Sequence, residues 1–335
     1  MLRSETADDP ALRAAALKGL AAYQQADRPP ARAALPVHRQ AGRAMLRDAG
    51  GTGRPVVFVP SLINPPDILD LDAASLVGWI AMQGCRALLV DWGTPTPADR
   101  DIDIAAHVTD LLVPLIKSLD EPPVLVGYCL GGTIATAAAA LTPVAGLATI
   151  AAPWRFAGYG AARAAMAAMW QAAEPACAAL GLVPMEVLQA GFWRLDPART
   201  VAKYARFADL DPASDRAAAF VRLEDWANAG APLTHAVGRD LFDRFVRDDD
   251  PGAGRWRVGG VAIDPSALRC PTIDFVSTTD RIVPAATAAG RRDRRDLTIG
   301  HVGMIVGSRA RADLWAPLAD WIATLHPSRP RHKGV

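Results

Sequence analysis

Val124-Leu-Val-Gly-Tyr-Cys-Leu-Gly-Gly-Thr133 is the stretch on which the fold turns. Its apolar start, closed by a glycine, reads as a short buried strand. Thr133 to Leu141 then carries a small-residue helical pattern. A strand that runs into a helix through Gly-x-Cys-x-Gly has the layout of a nucleophile elbow, with cysteine where serine usually stands. So sharp a turn strains its central residue, and only small neighbours let strand and helix pass closely. Gly127, Gly131 and Gly132 meet that need. The helix N-terminus beneath Cys129 would stabilise a thiolate. A glycine-rich turn around a buried cysteine would look the same over six residues, so the weight falls on partners elsewhere in the chain.

Those partners are expected in the order nucleophile, acid, histidine. Pro271 to Val276 is a strand candidate that ends in the polar turn Ser277-Thr-Thr-Asp280, which puts Asp280 just past a strand's carboxyl end. Asp274, mid-strand, is the rival acid and is expected to be buried or aimed at a helix. A short strand near Asp296 to Ile299 leads to Gly300-His-Val-Gly303, so His301 lies in a glycine-flanked loop. His38, His107, His235, His326 and His332 have no such setting; His107 reads as solvent-facing on a helix, and His326 and His332 fall in a polar tail. Histidine can take a thiol proton and return one to a leaving group, and aspartate would orient the ring. An oxyanion hole would use the Leu130 N–H and a second N–H from the loop Pro60 to Asn64, with Leu62 and Ile63 as candidates.

Strand and helix patterns alternate on both sides of the elbow. Val56 to Val59, Arg86 to Val90 and Leu147 to Ile150 read as strands; Ala73 to Gln83, Ile102 to Leu119 (bent at Pro114) and Ala310 to Leu325 read as helices. Such alternation predicts an α/β fold, a doubly wound, mostly parallel sheet with helices on both faces. From Trp154 to about Pro265 the pattern turns helical and alanine-rich with little strand signal, as expected of an inserted cap. The expected organisation is an Ala-rich N-terminal appendage over 1–45, broken at Pro29-Pro30. A core of 46–153 and 266–326 follows, with a cap at 154–265 and a polar tail at 327–335. No charge occurs from Val124 through Trp154, long enough to span a bilayer, but the glycines, Pro143 and weakly apolar alanines argue for buried strand, elbow, helix and strand instead.

Composition narrows the chemistry. With 335 residues and a formal net charge of +1, nothing draws the chain broadly toward nucleic acid or anionic lipid. Four scattered cysteines form no CxxC pair, so a metal site or disulfide framework is not expected, and a reducing cytoplasm fits. Cys85, Cys177 and Cys270 read as small core residues. The run Arg291-Arg-Asp-Arg-Arg295 reads as a solvated loop, with phosphate contact to a substrate carrier as the alternative.

With elbow, acid and histidine in place, the chain resembles the polyhydroxyalkanoate synthases, enzymes of the α/β-hydrolase superfamily that make bacterial storage polyesters. The resemblance lies in Gly127-Tyr-Cys-Leu-Gly-Gly-Thr133, Pro60 to Leu71, Leu88-Leu-Val-Asp-Trp-Gly-Thr-Pro95, Phe220-Val-Arg-Leu-Glu-Asp-Trp226, Asp280-Arg-Ile-Val-Pro284 and Gly300-His-Val-Gly303. It covers about residues 50 to 325 and is nearest the short synthases that work with a second, non-catalytic subunit. It implies that Cys129 takes the acyl group of a 3-hydroxyacyl-CoA and that His301, with Asp280, activates a hydroxyl to extend the polyester. It further implies no cofactor beyond the CoA thioester as substrate, a homodimer, and a cytoplasmic location at the polyester granule surface. Departures are Asp67 where the family often has an aromatic, Arg281 where it often has histidine, and the alanines of 154–207. The same three residues would serve a depolymerase or thioesterase, and a non-enzymatic granule protein is the remaining alternative.

Overall fold

The computed structural model describes residues 2–28, 32–71 and 74–325; the expected break at Pro29-Pro30 and the tail with His326 and His332 lie outside them. One sheet of eight strands forms the centre: β1 (Val37–Ala41), β2 (Ala44–Asp48), β3 (Pro55–Val59), β4 (Arg86–Asp91), β5 (Val124–Tyr128), β6 (Gly146–Ile150), β7 (Thr272–Ser277) and β8 (Arg294–Leu297). Their spatial order is β1-β2-β4-β3-β5-β6-β7-β8. β2 runs antiparallel to β1 and β4, and every other pairing is parallel.

Alternate side chains along a strand point to opposite faces, and here each face meets its own core. Val57, Val59, Leu88, Leu125 and Leu147 join one apolar cluster, with the helical run 104–117 and α2 (Leu130–Leu141). Val56, Phe58, Ala87, Leu89, Val126 and Phe275 join the other, with Leu76–Met82 and Ala316–Thr324. Burial on both faces explains why these strands read as unbroken apolar runs. The fold expected from the sequence is therefore the one formed.

Several details differ from the sequence reading. β1 lies inside the stretch 1–45 expected to be an appendage, because Val37–Ala41 pairs with β2 as a hairpin and extends the sheet. β8 begins at Arg294 rather than near Asp296; Arg292, Arg294 and Arg295 are exposed as expected, the last two on an edge strand, whereas Arg291 is buried. The Arg291 guanidinium donates to Thr136 Oγ1 at 2.8 Å. Burial pulls its pKa down and that of the neighbouring Asp274 up. The run 104–117 is wound as a π-helix over His107–Leu112, which turns His107 inward to 2% exposure against Trp92. Burial there lowers the His107 pKa to about 4.

Between β6 and β7 the chain is mainly helical: α3 (Ala162–Leu180), α4 (Met185–Leu195), α5 (Pro197–Phe207) and α6 (Asp215–Asn228). Two-residue strand pairs, Leu182–Val183 with Leu233–Thr234 and Arg257–Val258 with Val261–Ala262, are the strand pairings within it. The N-terminal helix Pro10–Gln25 lies along α5 so closely that a Cβ on Gly19 would stand 1.8 Å from the Tyr204 carbonyl oxygen. No helix among the described residues is long and apolar enough to cross a membrane.

Candidate functional site

The site begins with backbone geometry. Cys129 sits between β5 and α2 at φ 55° and ψ −132°, a conformation that costs a non-glycine residue about 1–3 kcal/mol. It is held there by its N–H, which donates to the Ile150 carbonyl at 2.9 Å, and by its own carbonyl, which accepts from Gly132 N–H at 2.9 Å. The three glycines are required by space. An added Cβ would lie 2.4 Å from Gly132 Cα at Gly127, 2.1 Å from Val59 O at Gly131, and 2.3 Å from Ala152 Cβ at Gly132. Thus β5 and α2 can cross at this distance only without side chains.

Asp280 follows the carboxyl end of β7, and its Oδ2 stands 2.6 Å from His301 Nδ1. Its Oδ1 accepts from the Ile282 and Val283 N–H groups at 2.7 and 2.9 Å. Both carboxylate oxygens are thus committed, which fixes the plane of the imidazole beside it. The second ring nitrogen is left uncommitted, and His301 and Cys129 line the same cavity. His301 and Asp280 are each 8% exposed, whereas Cys129 is half-buried and open to the cavities described below. Burial alone would lower the His301 pKa. The Cys129 charge and the hydrogen bond to Asp280 outweigh it and raise the ring to about 10. The Tyr128 ring lies 5.0 Å from the imidazole and its hydroxyl donates to the His301 carbonyl; burial, followed by the Cys129 and Asp280 charges, pushes that phenol well up. Asp274, the rival acid, is buried on β7 and accepts from Thr149 Oγ1 at 2.9 Å, apart from the histidine.

The loop after β3 faces Cys129. Trp92 Nε1 donates to the Pro60 carbonyl at 3.1 Å and Trp226 Nε1 to the Pro65 carbonyl at 2.9 Å, so the loop is pinned at both ends. Ile63 N–H is already engaged by Ser61 Oγ at 3.2 Å, which weakens it as an oxyanion donor relative to Leu62. As the first residue of α2, Leu130 has no intrahelical acceptor for its N–H.

Two cavities meet at Cys129, sharing Ile63, Phe192 and Ile282 as walls. The first, of about 190 Å³, is the more polar of the two, with Asn64, Gln189, Thr200, Lys203 and Asn228 set among apolar walls such as Ile68, Trp193 and Trp226. Lys203 Nζ is held at 2.7 Å from both oxygens of the buried Glu224. The second, of about 340 Å³, runs under α3 and is apolar. Sequence reasoning missed these walls. Glu224 and Trp226 stood inside a quoted motif, yet nothing in the sequence pairs the one with Lys203 or the other with Pro65. Arg281 pairs with Asp196 at the start of α5, tying the acid's loop to the helices above it. Among the described residues no three acidic, histidine or cysteine side chains gather as a metal site.

The sequence matches the model of the alpha/beta hydrolase family over residues 56–316. It is 29% identical over 287 residues to the poly(3-hydroxyalkanoate) polymerase subunit PhaC of Haloferax mediterranei, covering 80% of this chain and 58% of that protein. To the subunit of the same name from Synechocystis sp. it is 26% identical over 292 residues, covering 80% of this chain and 77% of that protein. The chain thus spans less than two thirds of the length of the Haloferax relative. Among solved structures, the N-acyl homoserine lactonase AidH superposes with a TM-score of 0.51 at 16% identity, over 90% of this chain and 100% of that one. BpoC of Mycobacterium tuberculosis superposes with 0.52 at 16%, over 87% and 99%. At such identities these two share the fold alone.

Proposed function

The chain belongs to the alpha/beta hydrolase family, and on that footing we propose that it is a cysteine-dependent acyltransferase that polymerises 3-hydroxyacyl-CoA with release of CoA. The observation that carries this reading is the thiol of Cys129 at a strained elbow, opening on the same cavity as an imidazole that Asp280 holds at 2.6 Å. The likeness to poly(3-hydroxyalkanoate) polymerase subunits supports it.

In this proposal His301 takes the Cys129 proton and the thiolate attacks the thioester carbonyl. The oxyanion that forms is met by the Leu130 N–H and, from the facing loop, by the Leu62 N–H. The carbon–sulfur bond to CoA breaks and the CoA thiolate takes the proton back from the imidazolium. Acylation removes the negative charge that raised the ring's pKa. His301 thereby becomes a base, able to take the proton of an incoming 3-hydroxyl group. That oxygen attacks the acyl-cysteine, the ester forms, and Cys129 leaves as a thiolate beside the imidazolium. Cysteine suits this sequence because a thiolate exchanges readily with a thioester. The reading needs no cofactor. It includes, on the likeness alone, a second subunit, a homodimer and a place at the surface of cytoplasmic polyester granules.

The test is incubation with four-carbon and ten-carbon 3-hydroxyacyl-CoA, following CoA by thiol assay and recovering polymer by solvent precipitation, with Cys129→Ala alongside. Cys129-dependent CoA release with precipitable polyester is expected. Release with free hydroxy acid alone would replace the synthase with a thioesterase.

A further inference from the structure

Two cavities of unequal polarity meet at Cys129. The larger, about 340 Å³, is lined by apolar side chains except for the Cys129 thiol and the Tyr159 hydroxyl. No charged or amide side chain borders it among the described residues. Its width has a local cause. α3 presents Ala162 and Ala165 to it where larger residues would fill the space, with Met166 and Met169 beside them and Phe242 and Val246 opposite. The alanines of this segment, a departure from the resemblance when seen in the sequence, are therefore what makes the room. Gly191 on α4 serves the same end, since a Cβ there would stand 3.1 Å from Met169 Sδ. The smaller cavity holds the lysine and the amides and suits the polar carrier instead.

A cavity of about 150 Å³ takes the six carbons of benzene, so 340 Å³ takes about thirteen heavy atoms. A 3-hydroxybutyryl group, with about six heavy atoms, would leave more than half the space empty; a 3-hydroxydecanoyl group, with about twelve, would fill it. Each additional methylene moved from water into such a pocket improves binding by up to about fourfold. Resting on the acyl-transfer reading above, we infer that the cavity under α3 is the acyl pocket and that it selects medium-chain 3-hydroxyacyl thioesters, of about eight to ten carbons, over four-carbon ones. The acyl carbon stays at Cys129, the tail extends between α3 and the segment carrying Phe242, and the CoA moiety leaves through the polar cavity.

The experiment measures kcat/KM for CoA release from 3-hydroxybutyryl-, hexanoyl-, octanoyl- and decanoyl-CoA by the wild-type chain, Ala165→Phe and Ala162→Phe. For the wild type a rise of at least tenfold from four to eight or ten carbons is expected. Ala165→Phe, which fills the pocket from the side of α3, should lower the ten-carbon to four-carbon ratio at least tenfold, and Ala162→Phe should lower it in the same direction. Because the wild-type profile is itself decisive, a variant that fails to fold does not protect the proposal. A profile that is flat or highest at four carbons overturns the pocket assignment and leaves the acyl-transfer reading standing. Absence of Cys129-dependent CoA release from every thioester overturns both.

Discussion

Two alanine-rich helices face Cys129, and they could hardly be built more differently. In α2, nine of twelve residues are buried, because the helix is wedged between the sheet and the run 104–117. In α3, only Trp170 and Cys177 of nineteen residues are buried; its alanines are exposed or half-buried, and Ala162 and Ala165 line the apolar cavity. Small residues in α2 bring backbones together; in α3 they leave a space. The first use is an absolute steric demand that fixes where Cys129 stands. The second is adjustable and sets what can lie next to it. A protein of this design can change its substrate by repacking the cap while its chemistry stays anchored in the sheet.

The widest test of that contrast lies in the proposed triad of Cys129, Asp280 and His301. Asp280→Asn keeps the shape but removes the charge that holds the imidazolium, and CoA release should fall about 10²- to 10⁴-fold, as in related triads. The pH profile carries the sign. The raised pKa of His301 means that the imidazolium, and the stabilisation it brings, is fully present below the ordinary histidine range and lost as pH rises through about 10. The alkaline limb of kcat/KM for acylation should therefore lie near pH 10 in the wild type and move to lower pH in Asp280→Asn. A limb that does not move would show that Asp280 merely supports the loop.

Next in size is Gly131→Ala in α2. The new methyl would stand 2.1 Å from Val59 O and 2.4 Å from Pro60 O, both backbone atoms. A loss of about 3 kcal/mol or more is expected in denaturant unfolding, together with loss of activity. Ala164→Leu on the exposed side of α3 should change stability by no more than about 0.5 kcal/mol. Equal tolerance at the two positions would erase the distinction between the helices.

The smallest effect on CoA release concerns how the helices between β6 and β7 are held by the N-terminal helix. Gly19→Ala would drive a methyl into the Tyr204 carbonyl at 1.8 Å, and the N-terminal helix, exposed along much of its length, can shift away from it. A loss of about 1–3 kcal/mol is expected, seen as earlier proteolysis of residues 2–28, with CoA release reduced by less than tenfold because Lys203 on α5 lines the polar cavity. A loss of activity as large as that of Asp280→Asn would mean that the cap's placement is as strict as the elbow's.

Much of the site was legible in the sequence because its constraints are local. An elbow needs glycines at fixed offsets, an acid at a strand's end precedes a glycine-flanked histidine, and buried parallel strands read as apolar runs; none of this requires a distant contact to be recognised. His107 was not legible. Its helical spacing pointed outward, and it is the π-winding of His107–Leu112 and the approach of Trp92 that turn it in. Arg291 was hidden for a similar reason: in a run of four arginines only the fold selects which one is buried beside Asp274 and hydrogen-bonded to Thr136.

By itself, the sequence determined the doubly wound sheet, the elbow at Cys129 and the order in which Asp280 and His301 come to it, since these follow from side-chain size, alternation and chain direction. Only the tertiary structure decided which alanines are packed and which bound a cavity, that Lys203 is held by Glu224, and that the space beside Cys129 is divided into an apolar part and one that carries a lysine and amides. The reason is that a cavity is a difference between surfaces distant along the chain. The shape left between α3, α4 and the elbow appears in no one of them.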